Sequence, residues 1–252
     1  MNGANLATCE FEGSNKLLKA LIVGHRLDPS VPSTEVFLES FGFDVEFIDR
    51  LELTGSSEAR GFDLLVSLGS DWRLSSDEND AQTARSIKCE SQLIASAIEC
   101  AVPFLGICFG AQLLASVSGG EVRTATVFEI GWKSISSTSH PELFDRKWME
   151  WHYDSIVPPV NADVIASNSA GVQAFRLETS LGLQFHPEAD SRVISGWLNS
   201  GGAHEVAGFG ISSEALLAET QRLEDDAKCA FRAVFRWFLD SLRSIDPDCQ
   251  RS

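Results

Sequence analysis

The residues from Pro103 to Ala115 constrain the fold more than any other stretch of this chain. An apolar segment leads into Gly106-Ile-Cys-Phe-Gly110, and a run with helical character follows it. Glycines two positions before and after Cys108 allow a sharp turn from a strand into a helix. The positive end of the helix dipole favours the thiolate form of a cysteine at the start of a helix. Cys108 is therefore a candidate nucleophile, and a buried core cysteine is the alternative.

The first half of the chain alternates between short apolar runs and segments with helical periodicity. This order is typical of an α/β protein whose largely parallel sheet is covered by helices on both faces. Ligands of such sheets bind beyond the carboxyl ends of the strands. We expect three of these ends, at His25, at Gly69-Ser70 and at Cys108, to lie at one edge of the sheet.

Beyond residue 120 the pattern changes to short strand-like segments separated by turn residues. These segments predict an antiparallel extension of the sheet, without helices between the strands. Residues 200–210 are rich in glycine and are expected to form a mobile loop. Apolar spacing over residues 212–245 predicts a long C-terminal helical region, which a break in its middle could divide.

We infer a single domain over residues 16–245, preceded by a flexible arm (1–15) and followed by a tail (246–252). The formal net charge of −16 argues against a nucleic-acid partner. No apolar run approaches the length of a membrane span, and the start of the chain lacks a secretory signal. Six cysteines are too few for a disulfide scaffold. We therefore expect reduced thiols and a cytoplasmic location.

A cysteine nucleophile needs a base, and the segment Leu181-Gly-Leu-Gln-Phe-His-Pro-Glu188 supplies a candidate. Pro187 keeps the preceding His186 extended, and residues two apart in an extended segment face the same way. Glu188 can therefore orient the imidazole of His186 and stabilise its protonated form. The pattern predicts a triad of Cys108, His186 and Glu188.

Two of these segments, Gly106–Gln112 and Gln184–Glu188, resemble the signature motifs of class I glutamine amidotransferase domains. The resemblance is strongest to stand-alone proteins similar to the glutaminase domain of GMP synthase. Trp151–Ile156 and Glu129–Trp132 are similar to two further segments of that family, and the resemblance covers about residues 18–200. It implies a three-layer flavodoxin-like fold with a mostly parallel central sheet, an antiparallel extension and a C-terminal helical region.

The resemblance implies a role for each member of the triad. Cys108 would attack the amide carbonyl of glutamine or of another γ-glutamyl amide, and His186 would carry the proton from the thiol to the leaving amine. Water would then hydrolyse the thioester. Backbone N–H groups of Gly69 or Ser70 and of Phe109 are candidates for stabilising the oxyanion.

The same resemblance implies substrate contacts. Gln112 matches a position that contacts glutamine, with an ordinary polar helix residue as the alternative. The segment of His152, Tyr153 and Asp154 would lie over the glutamyl α-amino and α-carboxyl groups. Hydrogen bonds or ion pairs within a loop are the alternative for His152 and Asp154.

One segment departs from the family pattern. Many members carry Gly-Gly-Pro at the oxyanion loop, where this chain has Gly69-Ser-Asp-Trp72. Backbone donors survive a change of side chain. Ser70 and Trp72 are candidates for reshaping the pocket around a bulkier leaving group, whereas packing under the loop is the alternative for Trp72.

We expect a cysteine amidase that hydrolyses a γ-glutamyl amine or glutamine to glutamate and an amine or ammonia. The alternative is a glutaminase subunit that delivers ammonia to a separate synthase partner. An inactive regulatory or binding homologue is a third possibility. The spacing of His and Cys matches no zinc pattern, and the proposed chemistry needs no metal or organic cofactor.

Overall fold

The computed structural model describes residues 17–76 and 79–243. The arm predicted over residues 1–15 and the tail predicted over 246–252 lie outside the described residues. The single domain inferred over residues 16–245 remains a prediction.

The described residues form nine strands and seven α-helices, and a single 3-10 turn spans Arg50–Glu52. The strands are β1 (Leu18–Gly24), β2 (Phe43–Asp49), β3 (Leu64–Ser67), β4 (Phe104–Ile107), β5 (Glu121–Ile135), β6 (Arg146–Val157), β7 (Asp163–Asn168), β8 (Gly171–Leu177) and β9 (Ser180–Leu183). The helices are α1 (Ser30–Glu39), α2 (Ala81–Glu99), α3 (Phe109–Val117), α4 (Pro141–Phe144), α5 (Ser191–Trp197), α6 (Ala203–Gly208) and α7 (Ser213–Arg243).

Seven strands build the central sheet in the order β2-β1-β3-β4-β9-β8-β7. The first five are parallel, and their order is that of flavodoxin-like sheets. Strands β8 and β7 continue the sheet in antiparallel pairing. This topology confirms the predicted mostly parallel sheet with an antiparallel extension and a C-terminal helix.

Strands β5 and β6 differ from the expected extension. They pair with each other over most of their length and form a separate two-stranded sheet, with an irregularity between Thr124 and Glu129. Strand β9 also departs from the prediction, because it joins β4 in parallel. A short helix, α4, separates β5 from β6, although no helix was predicted in this part of the chain.

The two faces of the sheet bury two separate cores. Successive side chains of β1 point to opposite faces. Ala20 and Ile22 therefore pack on the side of α1 and α7, whereas Leu21 and Val23 pack on the side of α2 and α3. This is the layered arrangement that the buried, nearly continuous apolar strands predict.

The segment predicted as a mobile loop at 200–210 is largely helical. The chain kinks at Ser200 and Gly201, whose backbone angles are not helical, and α6 follows from Ala203. Gly201 adopts a φ of +114°, which lets the chain bend between the helices. Val206 is fully buried and fixes α6 to the core. The possible break in the C-terminal region is also absent, because α7 runs through 31 residues without interruption.

Within the described ranges, no helix is both long and apolar enough to cross a lipid bilayer.

Phe235 tests how far α7 contributes to the stability of the fold. Its side chain is fully buried and packs against Phe37 and Phe41 of the α1 region, with ring centroids 5.2 and 4.8 Å away. We expect Phe235→Ala to lower the free energy of unfolding, measured in urea, by about 3–5 kcal/mol, because it leaves a cavity. Val160→Ala, at a fully exposed position, is the control. A loss below about 1 kcal/mol for Phe235→Ala would contradict this assignment.

Candidate active site

Cys108 lies at the turn between β4 and α3 in a conformation that side chains rarely adopt. Its φ is 50° and its ψ is −103°. Its N–H donates a hydrogen bond of 2.7 Å to the carbonyl of Leu183, the last residue of β9. A strained, non-glycine residue of this kind is typical of functional sites, because the surrounding structure must hold it in place.

The two flanking glycines leave no room for side chains. A Cβ at Gly106 would lie 2.6 Å from the backbone of Gly110. A Cβ at Gly110 would lie 2.2 Å from the carbonyl oxygen of Ser67, at the end of β3. The two glycines that flank Cys108 are therefore required by the close backbone packing between β3, β4 and α3.

His186 and Glu188 form a buried pair directly after β9. The Nδ1 atom of His186 lies 2.8 Å from Oε1 of Glu188. Burial alone would lower the pKa of His186, but the negative charges of Glu188 and Cys108 raise it well above its usual value. The backbone N–H of His186 donates to the carbonyl of Met149, which ties the pair to β6.

The cysteine and the histidine face each other beside Gly69. A Cβ built on Gly69 would lie 2.8 Å from Cε1 of His186 and 3.7 Å from Cβ of Cys108. The Sγ atom of Cys108 is 3.6 Å from Nε2 of Gln184 and 3.8 Å from the carbonyl oxygen of Trp151. The structure thus brings Cys108, His186 and Glu188 together as the triad hypothesis requires.

The two segments predicted to stabilise an oxyanion border this group. Phe109 is the first residue of α3, so its N–H belongs to the unpaired first turn of that helix. On the other side, Ser70 Oγ lies 3.0 Å from Nε2 of His25 and accepts a hydrogen bond from the N–H of Trp72. These bonds shape the turn that begins at Gly69.

Gln112 is buried on the inner face of α3. Its Nε2 atom donates a 3.3 Å hydrogen bond to Oε1 of Gln184, and its side chain lines the same cavity as Cys108. The interaction with Gln184 orients the amide. Gln112 is buried, so it is not an ordinary exposed polar residue of a helix. Because it lines the cavity, its side chain can contact a ligand there.

His152 lies between two buried carboxylates. Its Nε2 atom is 3.4 Å from Glu129 and 3.3 Å from Glu150. Burial alone would lower the pKa of His152, but its contacts with the two carboxylates raise it to about 10. Burial raises the pKa of Glu150. The ring's Nδ1 atom is 2.9 Å from the carbonyl oxygen of Asp154.

The same three side chains could by geometry hold a divalent metal ion. Glu129, Glu150 and His152 each offer one ligand atom, and these atoms lie within 4.8 Å of one another. With a pKa of about 10, His152 holds a proton that a metal ion would have to displace. An imidazolium at this place offsets part of the negative charge of the two carboxylates.

Asp154 is buried and already has partners in the loop after β3. Its Oδ1 atom accepts hydrogen bonds from Nε and Nη2 of Arg73 at 3.2 and 2.9 Å, and from the hydroxyl of Ser75 at 2.6 Å. The ion pair expected as the alternative role of Asp154 is therefore present. Arg73 itself was not anticipated from the sequence, although it directly follows Trp72.

These groups surround an open cavity of about 690 Å³. Trp72 both lines it and packs, since its ring meets His25 and Phe109 at centroid distances of 4.8 and 6.2 Å. The other predicted residues on the cavity wall are Gly69, Ser70, Cys108, Gln112, His152, Tyr153, Asp154 and His186.

Further cavity residues were missed by reasoning from sequence. Trp197 packs edge-on against His186, with ring centroids 4.8 Å apart. Glu205 accepts hydrogen bonds from Nε1 of Trp151, at 2.9 Å, and from the hydroxyl of Tyr153. Glu205 lies on α6, in the segment expected to be a loop, so no helical spacing pointed to it.

The α/β fold, the cysteine at the strand–helix turn and the histidine–glutamate pair together define a class of proteins. Comparison with known proteins shows which class this chain resembles. The family model of "Glutamine amidotransferase class-I" matches residues 79–197. The glutamine-hydrolyzing GMP synthase of Aromatoleum aromaticum is 34% identical in an alignment of 134 residues that covers 46% of this chain and 25% of that protein. One subunit of the glutamine-hydrolyzing GMP synthase of Sulfolobus acidocaldarius is 40% identical in an alignment of 96 residues that covers 34% of this chain and 51% of the relative.

A solved structure extends the likeness beyond these segments. A glutamine amidotransferase from Thermotoga maritima matches with a TM-score of 0.77 and 25% identity, over 88% of this chain and 98% of that one. In sequence and in fold, the chain is similar to class I glutamine amidotransferases. It spans about half, or less, of the length of the curated relatives named here.

The protonation of His152 gives a direct test of the buried cluster. With a pKa of about 10 against 6.5 when unperturbed, its ring should hold both protons at pH 8. Because the pKa is higher in the folded chain, protonation stabilises the fold fully below pH 6.5, and this contribution is lost as the pH rises towards 10. NMR titration of the histidine rings measures the pKa.

Glu129→Gln should lower the pKa of His152 because it removes one of the two flanking charges. Glu142→Gln, which changes the exposed partner of His140, is the matched control. A wild-type His152 that loses its proton below pH 7 would contradict a protonated His152 between Glu129 and Glu150.

Proposed function

We propose that this chain is a cysteine-dependent amidase that hydrolyses the γ-glutamyl amide bond of a γ-glutamyl amine or of glutamine. The products are glutamate and the free amine or ammonia. One observation carries the proposal: the strained Cys108 faces the His186–Glu188 pair at the wall of an open cavity. The similarity to class I glutamine amidotransferases supports the choice of a γ-glutamyl amide as substrate.

In the first step, His186 accepts the proton of the Cys108 thiol. The raised pKa of the imidazole supports this transfer, and the carboxylate of Glu188 holds the ring and stabilises its charge. The sulfur then attacks the amide carbon. A C–S bond forms, and the carbonyl π electrons move to oxygen. The N–H groups of Phe109 and of the Gly69–Ser70 turn are proposed to donate to that oxyanion.

In the second step, His186 gives its proton to the departing nitrogen. The C–N bond breaks, the amine leaves, and the acyl group remains as a γ-glutamyl thioester on Cys108. Water attacks the thioester while His186 accepts one of its protons and returns it to the sulfur. Glutamate leaves, and the thiol is restored without any redox change.

The cavity favours an amine larger than ammonia. Its volume of about 690 Å³ falls in the range that accommodates drug-sized ligands, and glutamine alone would fill only part of it. The aromatic rings of Trp72, Trp151 and Trp197 line the cavity, and Trp197 packs directly on His186. Since His186 protonates the leaving nitrogen, we propose that Trp197 borders the amine half of the substrate.

We propose a cytoplasmic location for this activity. The four cysteines in the described part of the chain, Cys89, Cys100, Cys108 and Cys229, are all free thiols. Free thiols suit a reducing compartment, and the mechanism requires a reduced Cys108.

A second function is favoured by the relatives. The relative from Sulfolobus acidocaldarius is named as one subunit of GMP synthase, and the match to this chain covers about half of its length. The alternative is that this chain releases ammonia from glutamine for a separate synthase. In that case glutamine hydrolysis should be slow for the isolated chain and rise when the partner binds. Rapid hydrolysis of a bulky γ-glutamyl amine by the isolated chain would contradict it.

The amidase proposal predicts that the isolated protein hydrolyses at least one member of a panel of glutamine and γ-glutamyl amides of aliphatic and aromatic amines. Glutamate release measures the activity. Cys108→Ala should reduce kcat by at least about 10³-fold, because the nucleophile is lost while backbone donors remain.

Cys100→Ser and Cys229→Ser, at exposed thiols, are the controls and should retain activity. Absence of turnover for the whole panel by the folded, isolated chain would overturn the amidase proposal. Hydrolysis by Cys108→Ala at a rate close to that of the wild type would also overturn it.

A further inference from the structure

We propose that Arg73 binds the α-carboxylate of the γ-glutamyl substrate and so selects glutamyl groups over acyl groups that lack this charge. The inference rests on the proposed function and names a specificity-determining residue for it. It follows from the charge, the hydrogen bonds and the position of Arg73 in the cavity.

The guanidinium of Arg73 is fixed in place but retains free donors. Its Nε and Nη2 atoms bond Asp154, and Nη2 also lies within 3.3 Å of the hydroxyls of Ser75 and Thr124. Nη1 has no hydrogen-bond partner among the described residues. The side chain remains 36% exposed at the cavity. A planar guanidinium with one edge held by protein suits a carboxylate at its open edge.

Arg73 is the one lysine or arginine among the described residues that line the cavity. The histidines do not replace it. Burial and the charge of Arg50 lower the pKa of His25, and His152 and His186 are each paired with glutamates.

The remaining charged groups on the wall are acidic: Asp28, Asp71, Asp154 and Glu205. A substrate carboxylate would be repelled from most of this surface, in a chain whose net charge is −16. Arg73 is therefore the place where such a carboxylate can be stabilised.

Contacts along the cavity wall place Arg73 away from the leaving group. His186 packs on Trp197, whose ring centroid is 5.8 Å from that of Trp151. Glu205 links Trp151 to Tyr153, and the guanidinium of Arg73 lies 5.7 Å from the ring centroid of Tyr153.

The amine departs beside His186, whereas the α-carbon of a glutamyl group lies at the other end of the acyl chain. The order of contacts thus puts Arg73 on the side of the α-carbon. Asp154 lies next to Arg73. The Oδ2 atom of Asp154 accepts a single hydrogen bond, from the N–H of Ser75. The Arg73–Asp154 pair is therefore complementary to an α-carbon that bears both a carboxylate and an ammonium group.

The test compares two substrates that differ only in the α-carboxylate: γ-L-glutamyl-methylamide and 4-amino-N-methylbutanamide. We expect the wild-type protein to prefer the first in kcat/KM, and Arg73→Gln to reduce this preference by about 10- to 100-fold. The ratio of the two kcat/KM values does not depend on the fraction of folded protein. It is therefore unaffected if loss of the ion pair between Arg73 and Asp154 lowers the stability of the fold. Arg73→Lys, which keeps the charge, should retain part of the preference.

Arg146→Gln is the matched control, because Arg146 also pairs with an aspartate, Asp226, and does not line the cavity. The preference of Arg146→Gln for the substrate with the α-carboxylate should equal that of the wild type. An unchanged preference in Arg73→Gln would overturn the proposal while leaving the amidase function intact.

Binding of L-glutamate separates this proposal from the proposed function. Calorimetry with Cys108→Ala protein needs no turnover. We expect the affinity for L-glutamate to fall by about 10- to 100-fold when Arg73→Gln is added. Such a loss supports the Arg73 contact even if the chain hydrolyses nothing. Equal affinities, or no saturable binding of L-glutamate to Cys108→Ala protein, would contradict it.

Discussion

The close contact between Gly110 and Ser67 is the constraint on which the site depends. With 2.2 Å between a Cβ at Gly110 and the Ser67 carbonyl oxygen, only glycine allows α3 to begin so near the end of β3. Beside this close approach the backbone of Cys108 adopts a positive φ, at a cost of about 1–3 kcal/mol. The hydrogen bond from Cys108 to Leu183 and the buried layers on both faces of the sheet hold it there.

The same packing organises the charges around the sulfur. Two imidazoles lie in the buried wall of the cavity, and each is paired with carboxylates: His186 with Glu188, and His152 with Glu129 and Glu150. Both have raised pKa values, and the charge of Cys108 contributes to each. The paired carboxylates keep positive charge beside the cysteine in a strongly acidic chain. The arrangement suits an anionic nucleophile and an anionic intermediate.

Motifs made of neighbouring residues could be predicted from the sequence. Gly106, Cys108 and Gly110 specify a strand–turn–helix by local sterics, and His186 and Glu188 share a face because they lie two apart in extended chain. The parallel part of the sheet followed from its apolar runs. These predictions succeeded because each rests on short-range geometry.

What the sequence could not reveal depends on contacts between distant segments. Arg73 gains its place from Asp154, 81 positions away, and the Glu129–His152–Glu150 cluster requires the pairing of β5 with β6. The separation of β5 and β6 from the central sheet depends on which strands pair, and strand periodicity does not encode this. In α6, tertiary burial of Val206 outweighs the local preference of a glycine-rich stretch for a loop.

The central claim is that Cys108 carries the γ-glutamyl group during hydrolysis, and a covalent trap tests it most directly. The protein would be mixed with γ-L-glutamyl-methylamide, quenched in acid within the first turnovers, and measured by intact-mass and peptide mass spectrometry. We predict that the peptide containing Cys108 gains the mass of one glutamyl group and that hydroxylamine removes this group. Turnover without any adduct, or an adduct on another residue, would contradict it.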